Sequence, residues 1–390
     1  MIRRNLARPL GRFSRQLPVV AVTGPRQSGK TTLCRQTFPN LPYVSLEPLD
    51  TRSFAIEDPR GFIHQHRNGA IFDEIQRAPN LFSYLQEEVD RNPVAGRFIL
   101  TGSQHFGLSE AISQSLAGRI ATLHLLPPSL DELARFGPLP EDLWGVIWTG
   151  SYPRIFDQGL DPNHWLADYT ATYVQRDVRQ VLNVASLDAF TSFLRLSAGR
   201  TACEINLSKL GADAGISYNT VRAWLSVLEA SFLCLRLPAW HNSLRKQAVK
   251  APKLHFLDTG LACHLFGITH PDQLRHHPLR GALFETWAVS EIYKSRLHRR
   301  LEPRMFHLRD AKGLEVDLVI EEGGNLTAVE MKSGATLAPD FFDSLKLLDG
   351  SLDKRRTATY TARLVYGGDQ KRKQAGVDAI GWRRLHELDW

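Results

Sequence analysis

The sequence reads G-P-R-Q-S-G-K-T from Gly24 to Thr31, which fits the pattern G-x-x-x-x-G-K-[ST] of a phosphate-binding loop. Its two glycines let the backbone turn tightly, so that successive N–H groups point into one concavity that holds a β-phosphate. Lys30 adds a positive charge for the β- and γ-phosphates, and the Thr31 hydroxyl can ligate Mg²⁺. The predicted nucleotide-binding residues of this loop are Gly24, Pro25, Arg26, Gln27, Ser28, Gly29, Lys30, Thr31 and Thr32.

The segments on either side of the loop support this interpretation. Residues 17–23 are typical of a short buried strand, and residues 31–37 can open a helix whose N-terminus favours anions. The alternative is a glycine turn with an unrelated lysine, which leaves the flanking strand unexplained. Strands alternating with helices predict an α/β fold, with a parallel sheet and the nucleotide at its carboxyl edge.

Two later strands end in polar side chains. Residues 69–76 form an apolar strand that ends in Asp73 and Glu74. An Asp in this position can hold Mg²⁺, and the next Glu can polarise the attacking water. Residues 97–103 end in hydroxyls, and Ser103 would lie beside the γ-phosphate. The alternative for residues 69–76 is a strand that simply ends in polar residues.

Four motifs occur in a fixed order: G-P-R-Q-S-G-K-T-T-L, A-I-F-D-E-I-Q, F-I-L-T-G-S and S-L-A-G-R. Together they resemble the AAA+-type P-loop ATPase module of a large, mostly uncharacterised prokaryotic family. The resemblance implies ATP binding at Lys30 and Thr31, Mg²⁺ at Asp73, catalysis by Glu74 and sensing near Ser103. Arg119 matches the family's G-R position. It is predicted to be a sensor or an arginine finger for a neighbouring subunit, and the alternative is a surface arginine that closes a helix.

The middle of the chain contains two helical patterns. Residues 161–195 place apolar side chains three and four apart, which indicates a lid-type helical subdomain. Residues 207–237 predict a helix, a turn at Gly215, a second helix capped near Ser217, and the strand of a wing. This is a winged helix-turn-helix signature, with Tyr218, Asn219 and Arg222 facing outward. Such folds bind DNA or mediate protein contacts, and both alternatives stay open.

A hairpin is predicted within residues 315–332, E-V-D-L-V-I-E-E-G-G-N-L-T-A-V-E-M-K, around Gly323 and Gly324. Pairing about that turn makes opposite positions sum to 647, so that Asp317 lies opposite Glu330 and Glu315 lies opposite Lys332. Period-2 alternation predicts one face with these four charged residues. The other face is predicted to hold five apolar residues: Val316, Leu318, Ile320, Val329 and Met331.

Two interpretations of the charged face compete. In the first, it is solvated, and Glu315 and Lys332 form a cross-strand ion pair. In the second, Asp317 and Glu330 bind Mg²⁺, Lys332 orients the attacking water, and Glu285 adds a ligand from the preceding helix. This spacing resembles the PD-(D/E)XK nuclease core, and the family named above often carries such a C-terminal domain. The resemblance thus covers essentially the whole chain and implies a nuclease-like fold.

Composition describes a soluble globular protein, with 43% hydrophobic and 23% charged residues. A net charge of +7 and clusters of arginine and lysine at residues 3–15, 294–304 and 354–384 favour DNA as a partner, although clustered cations on solvated faces are the alternative. The four cysteines have no metal-ligand or C-x-x-C spacing and are expected to be reduced. No segment has membrane-spanning length, and we expect a cytoplasmic location.

The predicted domains are an ATPase core (1–135), a helical lid (136–198), a winged helix-turn-helix (199–250) and a nuclease-like domain (251–390). The predicted function is ATP binding and hydrolysis by a protein acting on DNA, with Mg²⁺-dependent cleavage in the C-terminal domain. The alternative is a nucleotide-dependent switch that binds DNA or protein and has an inactive nuclease-like domain. The ATPase resemblance also makes a homo-oligomer possible, although no residue in the sequence demonstrates one.

Overall fold

The computed structural model describes residues 2–103, 115–172, 186–240, 250–310, 313–352 and 359–390. Arg176 and Asp177 match the family that the sequence resembles, although an intrahelical or surface pair is the favoured interpretation of them, and they lie outside these ranges. The described strands are β1 (Val19–Thr23), β2 (Tyr43–Ser45), β3 (Ala70–Asp73), β4 (Phe98–Gly102), β5 (Ile120–His124), β6 (Cys203–Glu204), β7 (Cys234–Leu237), β8 (Lys253–Phe256), β9 (Met305–Arg309), β10 (Glu315–Glu322), β11 (Asn325–Lys332), β12 (Thr359–Tyr366), β13 (Lys371–Gln374) and β14 (Val377–Gly381).

The α-helices of the same ranges lie on the sheets and between them. They are α1 (Ala7–Phe13), α2 (Lys30–Thr37), α3 (Leu49–Glu57), α4 (Pro59–Gln65), α5 (Leu81–Arg91), α6 (Leu130–Leu133), α7 (Leu143–Thr149), α8 (Pro153–Gln158), α9 (Pro162–Tyr169), α10 (Leu187–Ala198), α11 (Leu207–Ala214), α12 (Tyr218–Ala230), α13 (Thr259–Phe266), α14 (Pro271–His276), α15 (Arg280–His298) and α16 (Asp343–Ser351). Short 3₁₀ helices span Ile75–Arg77, Pro339–Phe342 and Trp382–Glu387.

The N-terminal sheet is parallel throughout, as the sequence predicts, with strand order β2-β3-β4-β1-β5. Strand β1, which lies between β4 and β5, is buried at every position, because helices cover both faces of a parallel sheet. Val20 and Val22 pack with Leu10 of α1 and Leu33 of α2 on one face. Val19 and Ala21 face the opposite cluster, which contains side chains of α4 and α5. The carboxyl ends of β1, β3 and β4 therefore meet at one edge.

The predicted helix-turn-helix elements are present. Gly215 ends α11 with a left-handed φ of 67°, and the Ser217 hydroxyl accepts a hydrogen bond from the Thr220 N–H at the start of α12. Tyr218, Asn219 and Arg222 are exposed on α12, as predicted. The following strand β7 is antiparallel to β8, which also pairs with β6. The strand β8 thus extends the sheet of this middle region, although the predicted boundary at 250 assigns it to the next domain.

The C-terminal sheet has the order β13-β14-β12-β11-β10-β9. Strands β9, β10 and β11 are antiparallel neighbours, and β12 is parallel to β11 after the crossover that contains α16. The turn between β10 and β11 has positive φ at both Gly323 (56°) and Gly324 (85°), as a tight hairpin requires. Leu318 lies opposite Val329 and the pairing continues to Glu322 opposite Asn325, which confirms the predicted register over residues 318–329.

The prediction that Val316 lies on the same face of the hairpin as Leu318 and Val329 is wrong. Val316 packs in the cluster that contains Val319 and Ala328, whereas Leu318 and Val329 belong to the opposite cluster. The cause is a register shift between Val316 and Val319 in the pairing of β10 with β9, and such an irregularity breaks the period-2 alternation.

A single apolar cluster joins the predicted lid to the two regions that follow it. It includes Ile147 of α7, Phe193 of α10, Leu225 of α12, Phe284 of α15 and Val329 of β11. The long helix α15 supplies buried side chains along most of its length, because β8, α13 and the C-terminal sheet surround it. In the part of the chain that the structure describes, no helix is both long and apolar enough to cross a membrane.

Candidate functional site

The phosphate-binding loop connects β1 to α2 at the carboxyl edge of the parallel sheet. Gly24 passes so close to the next segment that an added Cβ would lie 2.1 Å from the Leu125 carbonyl oxygen. Gly29 has a φ of 91° and immediately precedes α2. Both glycines are therefore required by the backbone: the first by a close approach, the second by a left-handed conformation. The fully buried Ser28 hydroxyl has no hydrogen-bond partner among the described residues.

Lys30 is held inside the loop. Its ammonium donates hydrogen bonds to the carbonyl oxygens of Gly24 (3.0 Å) and Pro25 (2.7 Å), and the residue is 6% exposed. Burial lowers the pKa of Lys30 to about 8, although the charges of Glu74 and Asp73 oppose the shift. An anion that takes the place of the two carbonyl oxygens can therefore accept hydrogen bonds from the ammonium.

Asp73 receives three hydroxyl hydrogen bonds at the end of β3. Its Oδ2 accepts from Thr31 Oγ1 (3.0 Å) and from the Tyr43 hydroxyl (2.7 Å), and its Oδ1 accepts from Thr101. The Thr31 and Asp73 oxygens are hard ligands in contact with each other, as two ligands of one Mg²⁺ would be. These residues fit the metal that the sequence predicts, and Tyr43 and Thr101 orient the carboxylate.

Glu74 follows Asp73 in a left-handed conformation, with φ 57° and ψ 44°. A non-glycine residue in this region is strained, and such strain recurs at functional sites. The Glu74 carboxylate accepts a hydrogen bond from Gln76 Nε2, which also lies 3.2 Å from Ser103 Oγ. The structure thus brings Glu74 and Ser103 together through Gln76, which the sequence analysis did not single out.

A cavity of about 430 Å³ opens over the loop. Its walls include Lys30, Thr31, Thr32 and Glu74, together with Arg4 and the α8 residue Arg154. Neither arginine is predicted from the sequence, because only the tertiary fold brings the N-terminus and α8 to this edge. One weak sequence signal lies next to Arg154: Pro153 is typical of the first residue of a helix, which predicts that Arg154 lies in a helix N-terminal turn.

Arg4 ties the loop to the rest of the molecule. Its guanidinium donates to the carbonyl oxygens of Ser28 (2.8 Å) and Leu126 (2.7 Å), and its Nε lies 3.1 Å from Glu132 Oε1. Arg4 is 6% exposed and Glu132 is fully buried. This contact fixes the carbonyl of Ser28 at the back of the loop, so that the loop N–H groups keep their direction.

Arg119 does not line this cavity. It immediately precedes β5, at the edge of the sheet opposite the nucleotide loop, and pairs with Asp90 on the surface (Nη2 to Oδ2, 2.8 Å). A sensor role within its own chain is excluded by this position, because the strands run parallel and the loop lies at their other ends. The arginine-finger role toward a neighbouring subunit stays a prediction.

The C-terminal carboxylate cluster consists of Glu285, Glu315, Asp317 and Glu330 with two lysines, Lys253 and Lys332. Lys253 Nζ lies 3.1 Å from Glu285 Oε1, 2.9 Å from Glu315 Oε1 and 3.9 Å from Asp317 Oδ1. The predicted pair of Glu315 with Lys332 is therefore wrong: Glu315 pairs with Lys253, and Lys332 pairs with Glu330 at 2.6 Å. Lys253 is 2% exposed, and the sequence analysis missed its role.

The cluster fits the predicted Mg²⁺ site only in part. The Glu285 carboxylate forms an ion pair with the Lys253 ammonium. In the described ranges, no group of three or more His, Cys, Asp or Glu side chains is arranged to hold a metal ion. Asp317 Oδ2 accepts a hydrogen bond from the Met331 N–H at 2.8 Å. The buried Glu330 Oε2 has no hydrogen-bond partner among the described residues, as a carboxylate meant for a cation would.

The charges of the cluster are unbalanced, because four carboxylates face two ammonium groups. Burial, and next the charge of Asp317, raise the pKa of Glu330 to about 7. The same two causes raise the pKa of Glu285 well above its ordinary value. Glu285, Asp317 and Glu315 raise the pKa of Lys253 despite its burial, so the ammonium stays charged. Lys253 thus supplies part of the positive charge that a divalent ion would supply.

Comparison with known families divides the chain into three matched segments. Residues 16–134 match an AAA domain. Residues 140–272 match one domain of unknown function, DUF8612, and residues 280–385 match another, DUF4143. The middle match includes residues 140–198 of the predicted lid and the whole helix-turn-helix, and it extends through β8 to the first residues of α14.

Relatives of this chain include uncharacterized proteins of Mycobacterium bovis and Mycobacterium tuberculosis. Each is 28% identical over 378 residues, which is 95% of this chain and 81% of the relative.

Solved structures with some likeness include a Walker-type ATPase of Pyrococcus abyssi, at 16% identity and a TM-score of 0.44, which covers 67% of this chain and 94% of that one. A RuvB variant of Thermotoga maritima is 19% identical, with a TM-score of 0.29, over 60% of this chain and 86% of that one. Both likenesses are too distant to support a conclusion about activity. The match over residues 16–134 and the site on its parallel sheet identify the N-terminal third of the chain as an AAA-type P-loop domain.

Proposed function

We propose that this protein binds ATP with Mg²⁺ at the loop of residues 24–31 and hydrolyses it. The observation that carries the proposal is the 3.0 Å contact between Thr31 Oγ1 and Asp73 Oδ2, at the cavity over the loop that Thr31 and Glu74 line. Mg²⁺, when bound by these two oxygens, supplies positive charge that neutralises the phosphates. Lys30 then leaves the Gly24 and Pro25 carbonyl oxygens and donates to the β- and γ-phosphates.

Glu74 is the residue that we assign to the attacking water. Its carboxylate orients the water and accepts a proton as the oxygen attacks the γ-phosphorus and the bond from that phosphorus to the β,γ-bridging oxygen breaks, so that ADP leaves. Gln76 holds this carboxylate and donates toward Ser103, so that both side chains keep one arrangement beside the γ-phosphate. Arg154, which lines the cavity from α8, supplies a second positive charge for the phosphates.

ATP binding and turnover, measured separately, test this proposal. We expect Lys30→Ala to lose binding, and Glu74→Gln to keep binding while turnover falls by about a hundredfold or more, as for the loss of a general base. Arg67→Gln, an exposed change away from the cavity, serves as the control. Unchanged turnover in Glu74→Gln would refute the assignment of the base, and tight ATP binding by Lys30→Ala would refute the site.

We further propose that the nucleotide controls the engagement of DNA. The exposed residues Tyr218, Asn219 and Arg222 on α12 support a contact with an external partner, and the net charge of +7 favours an anionic one. Lys253 supports the switch alternative over cleavage, because its ammonium occupies Glu285. In this form of the proposal the C-terminal domain binds and does not cut.

Cleavage by the C-terminal domain is the second candidate. It is favoured by the unpartnered Glu330 Oε2 and by Lys332, whose Nζ lies 2.6 Å from the other Glu330 oxygen. A helix, three antiparallel strands and a parallel strand after a crossover also support the predicted nuclease-like arrangement. In this candidate Asp317 and Glu330 hold Mg²⁺ and Lys332 orients the water.

A binding and cleavage assay separates the two candidate functions. Labelled single- and double-stranded DNA is incubated with Mg²⁺ or Mn²⁺, with and without ATP. If wild type cuts DNA and Glu330→Ala does not, the C-terminal domain is a nuclease. If Lys30→Ala also fails to cut, cleavage depends on the nucleotide site. ATP-dependent DNA binding without cutting supports the switch. Neither binding nor cutting would refute the proposed action on DNA and leave the ATPase proposal untouched.

A further inference from the structure

A second cavity, of about 600 Å³, lies between the N-terminal domain and the C-terminal residues. Its walls come from α1, from the end of α15 and from residues 385–390. We call it the arginine cavity after four of its lining residues: Arg8, Arg12, Arg15 and Arg299. Two basic clusters of the sequence, residues 3–15 and 294–304, thus meet at this cavity. The four arginines are not part of the phosphate-binding loop of residues 24–31.

Three of these arginines have no neutralising partner. Arg8, Arg12 and Arg15 have no carboxylate within 4.0 Å among the described residues, and all three are exposed. They follow one another at a spacing of four and three residues, which places them along one side of α1 and the turn after it. Their charges therefore add along a single wall of the cavity.

The acidic residues of the walls are already paired. Asp131 accepts from Arg135 at 2.7 Å, Glu291 from Lys294 at 2.8 Å, and Asp389 from Arg299 at 2.8 Å. Arg12 also lies near another cation, because both Arg12 and Arg300 stack on the Phe13 ring, at 4.7 and 3.8 Å from its centroid. Burial, and then the charge of Arg12, lower the pKa of Arg300. The wall has an excess of positive charge that an anion would relieve.

His298 gives the cavity a buried hydrogen-bonding group without a partner. Its side chain is 1% exposed, and neither ring nitrogen has a hydrogen-bond partner among the described residues. The nearest carboxylate oxygen, Glu132 Oε2, is 3.7 Å from Nδ1. Burial lowers the pKa of His298 to about 4, so the neutral ring keeps one N–H to donate. Unsatisfied buried polar groups are rare in folded proteins, and here the group lines a cavity.

We propose that the arginine cavity binds a phosphate-bearing ligand of nucleotide size. Arginine recognises phosphate through paired N–H donors, and the unpaired guanidinium groups of Arg8, Arg12 and Arg15 offer such donors along one wall. His298 donates to the same ligand from the wall formed by the end of α15, and Trp390 and Leu388 provide an apolar surface for its organic part. The volume lies within the range of small-molecule sites. The source of the phosphate is a free nucleotide or the 5′ end of a nucleic-acid strand.

Calorimetric titration of the full chain in a Lys30→Ala background tests the proposal, because this background removes the phosphate-binding lysine of the loop. The probes are AMP, a 5′-phosphorylated hexadeoxynucleotide and the same oligonucleotide with a 5′ hydroxyl. The cavity variant is Arg8→Gln with Arg12→Gln. The charge-matched control is Lys371→Gln with Arg372→Gln, two exposed residues of β13.

We expect binding of about one probe per chain that weakens by about tenfold or more in the cavity variant and stays unchanged in the control, since each lost charge-assisted hydrogen bond contributes substantially. Binding of AMP assigns a free nucleotide as the ligand. Binding of the phosphorylated oligonucleotide alone, with loss on removal of the 5′ phosphate, assigns a strand end. No binding of any probe, or equal weakening in the cavity variant and the control, overturns the proposal and leaves the ATPase proposal standing.

Discussion

The ammonium of Lys253 lies 3.1 Å from the carboxylate of Glu285, although the two residues belong to β8 and α15. The pair is buried and also involves Glu315 and Asp317. A buried charge is stable only when it is paired, so each member of this group depends on the others. The contact places a protein cation at a carboxylate that the sequence pattern assigns to a metal ion.

Replacing Lys253 should create a divalent cation site. We expect Lys253→Met to bind Mn²⁺ in the C-terminal domain at least about tenfold more tightly than wild type, because a unit charge a few ångströms from the ion is removed. Calorimetric titration measures the added site, which should vanish again when Glu330→Gln is introduced into the same variant. Lys250→Met is the control, since Lys250 is exposed and donates to a backbone oxygen, the Arg309 carbonyl, at 2.7 Å.

An unaltered Mn²⁺ isotherm in Lys253→Met would contradict this prediction. If the variant is too unstable for titration, its melting temperature should rise on addition of Mn²⁺ more than that of wild type does. Equal shifts in the two proteins would count against the prediction in the same way.

The pH dependence of stability should report on Glu330. Its pKa of about 7 in the folded chain exceeds its ordinary value of 4.5, so its contribution to stability is present below about pH 4.5 and is lost as the pH rises through 7. We expect the melting temperature of wild type to fall, relative to that of Glu330→Gln, between pH 5 and pH 8 by the equivalent of roughly a few kcal/mol. Parallel melting curves of the two proteins across this range would contradict the assigned shift.

ATP binding should involve proton uptake by Lys30. Burial lowers its pKa to about 8, so the lysine is protonated below that pH and increasingly neutral above it. Because the phosphates require the ammonium, we expect the affinity for ATP to fall between pH 7 and pH 9. Calorimetry in two buffers of different ionisation enthalpy should show protons taken up on binding at pH 9 and few at pH 6. The same uptake at both pH values would exclude Lys30 as the group.

Gly24→Ala should abolish nucleotide binding and destabilise the N-terminal domain. The added methyl group would lie 2.1 Å from the Leu125 carbonyl oxygen, which is a backbone atom and cannot rotate away. We expect a loss of about 1–3 kcal/mol, as for other overpacked sites. Gly281→Ala is the matched control, because a Cβ there meets nothing within 4 Å and alanine favours the helix. We therefore expect Gly24→Ala to lower the melting temperature and abolish ATP binding, and Gly281→Ala to keep ATP binding and to maintain or raise the melting temperature. Equal effects of the two substitutions would contradict the steric argument.

Gln76→Ala should slow ATP turnover while leaving ATP affinity close to that of wild type. Gln76 touches Glu74 and Ser103 through one amide nitrogen, so its loss frees the carboxylate from its position. We expect kcat to fall by about tenfold, less than for removal of the base itself. Gln65→Ala, at the exposed end of α4, serves as the control. A rise in KM with unchanged kcat would show that Gln76 acts on binding and not on the position of Glu74.

Features that depend on neighbouring residues were predictable. The loop at residues 24–31, the strands that end at Asp73 and before Ser103, and the turn at residues 323–324 each follow from local chemistry: glycine at tight turns, apolar runs in buried strands, and acids where a strand ends. The helix pair around Gly215 was predictable for the same reason. In each case the side chains that specify the structure lie within a few residues of it.

Features that depend on contacts between distant segments were not predictable. The sequence alone determined the order of the elements, the AAA-type loop and the hairpin register, because short-range periodicity and turn chemistry specify them. Only the tertiary structure decided that Lys253 neutralises Glu285, that Arg119 lies away from the loop of residues 24–31, and that Arg4 supports this loop. Electrostatic pairing in a buried site depends on distances of a few ångströms between segments far apart in the chain, and no local pattern encodes those distances.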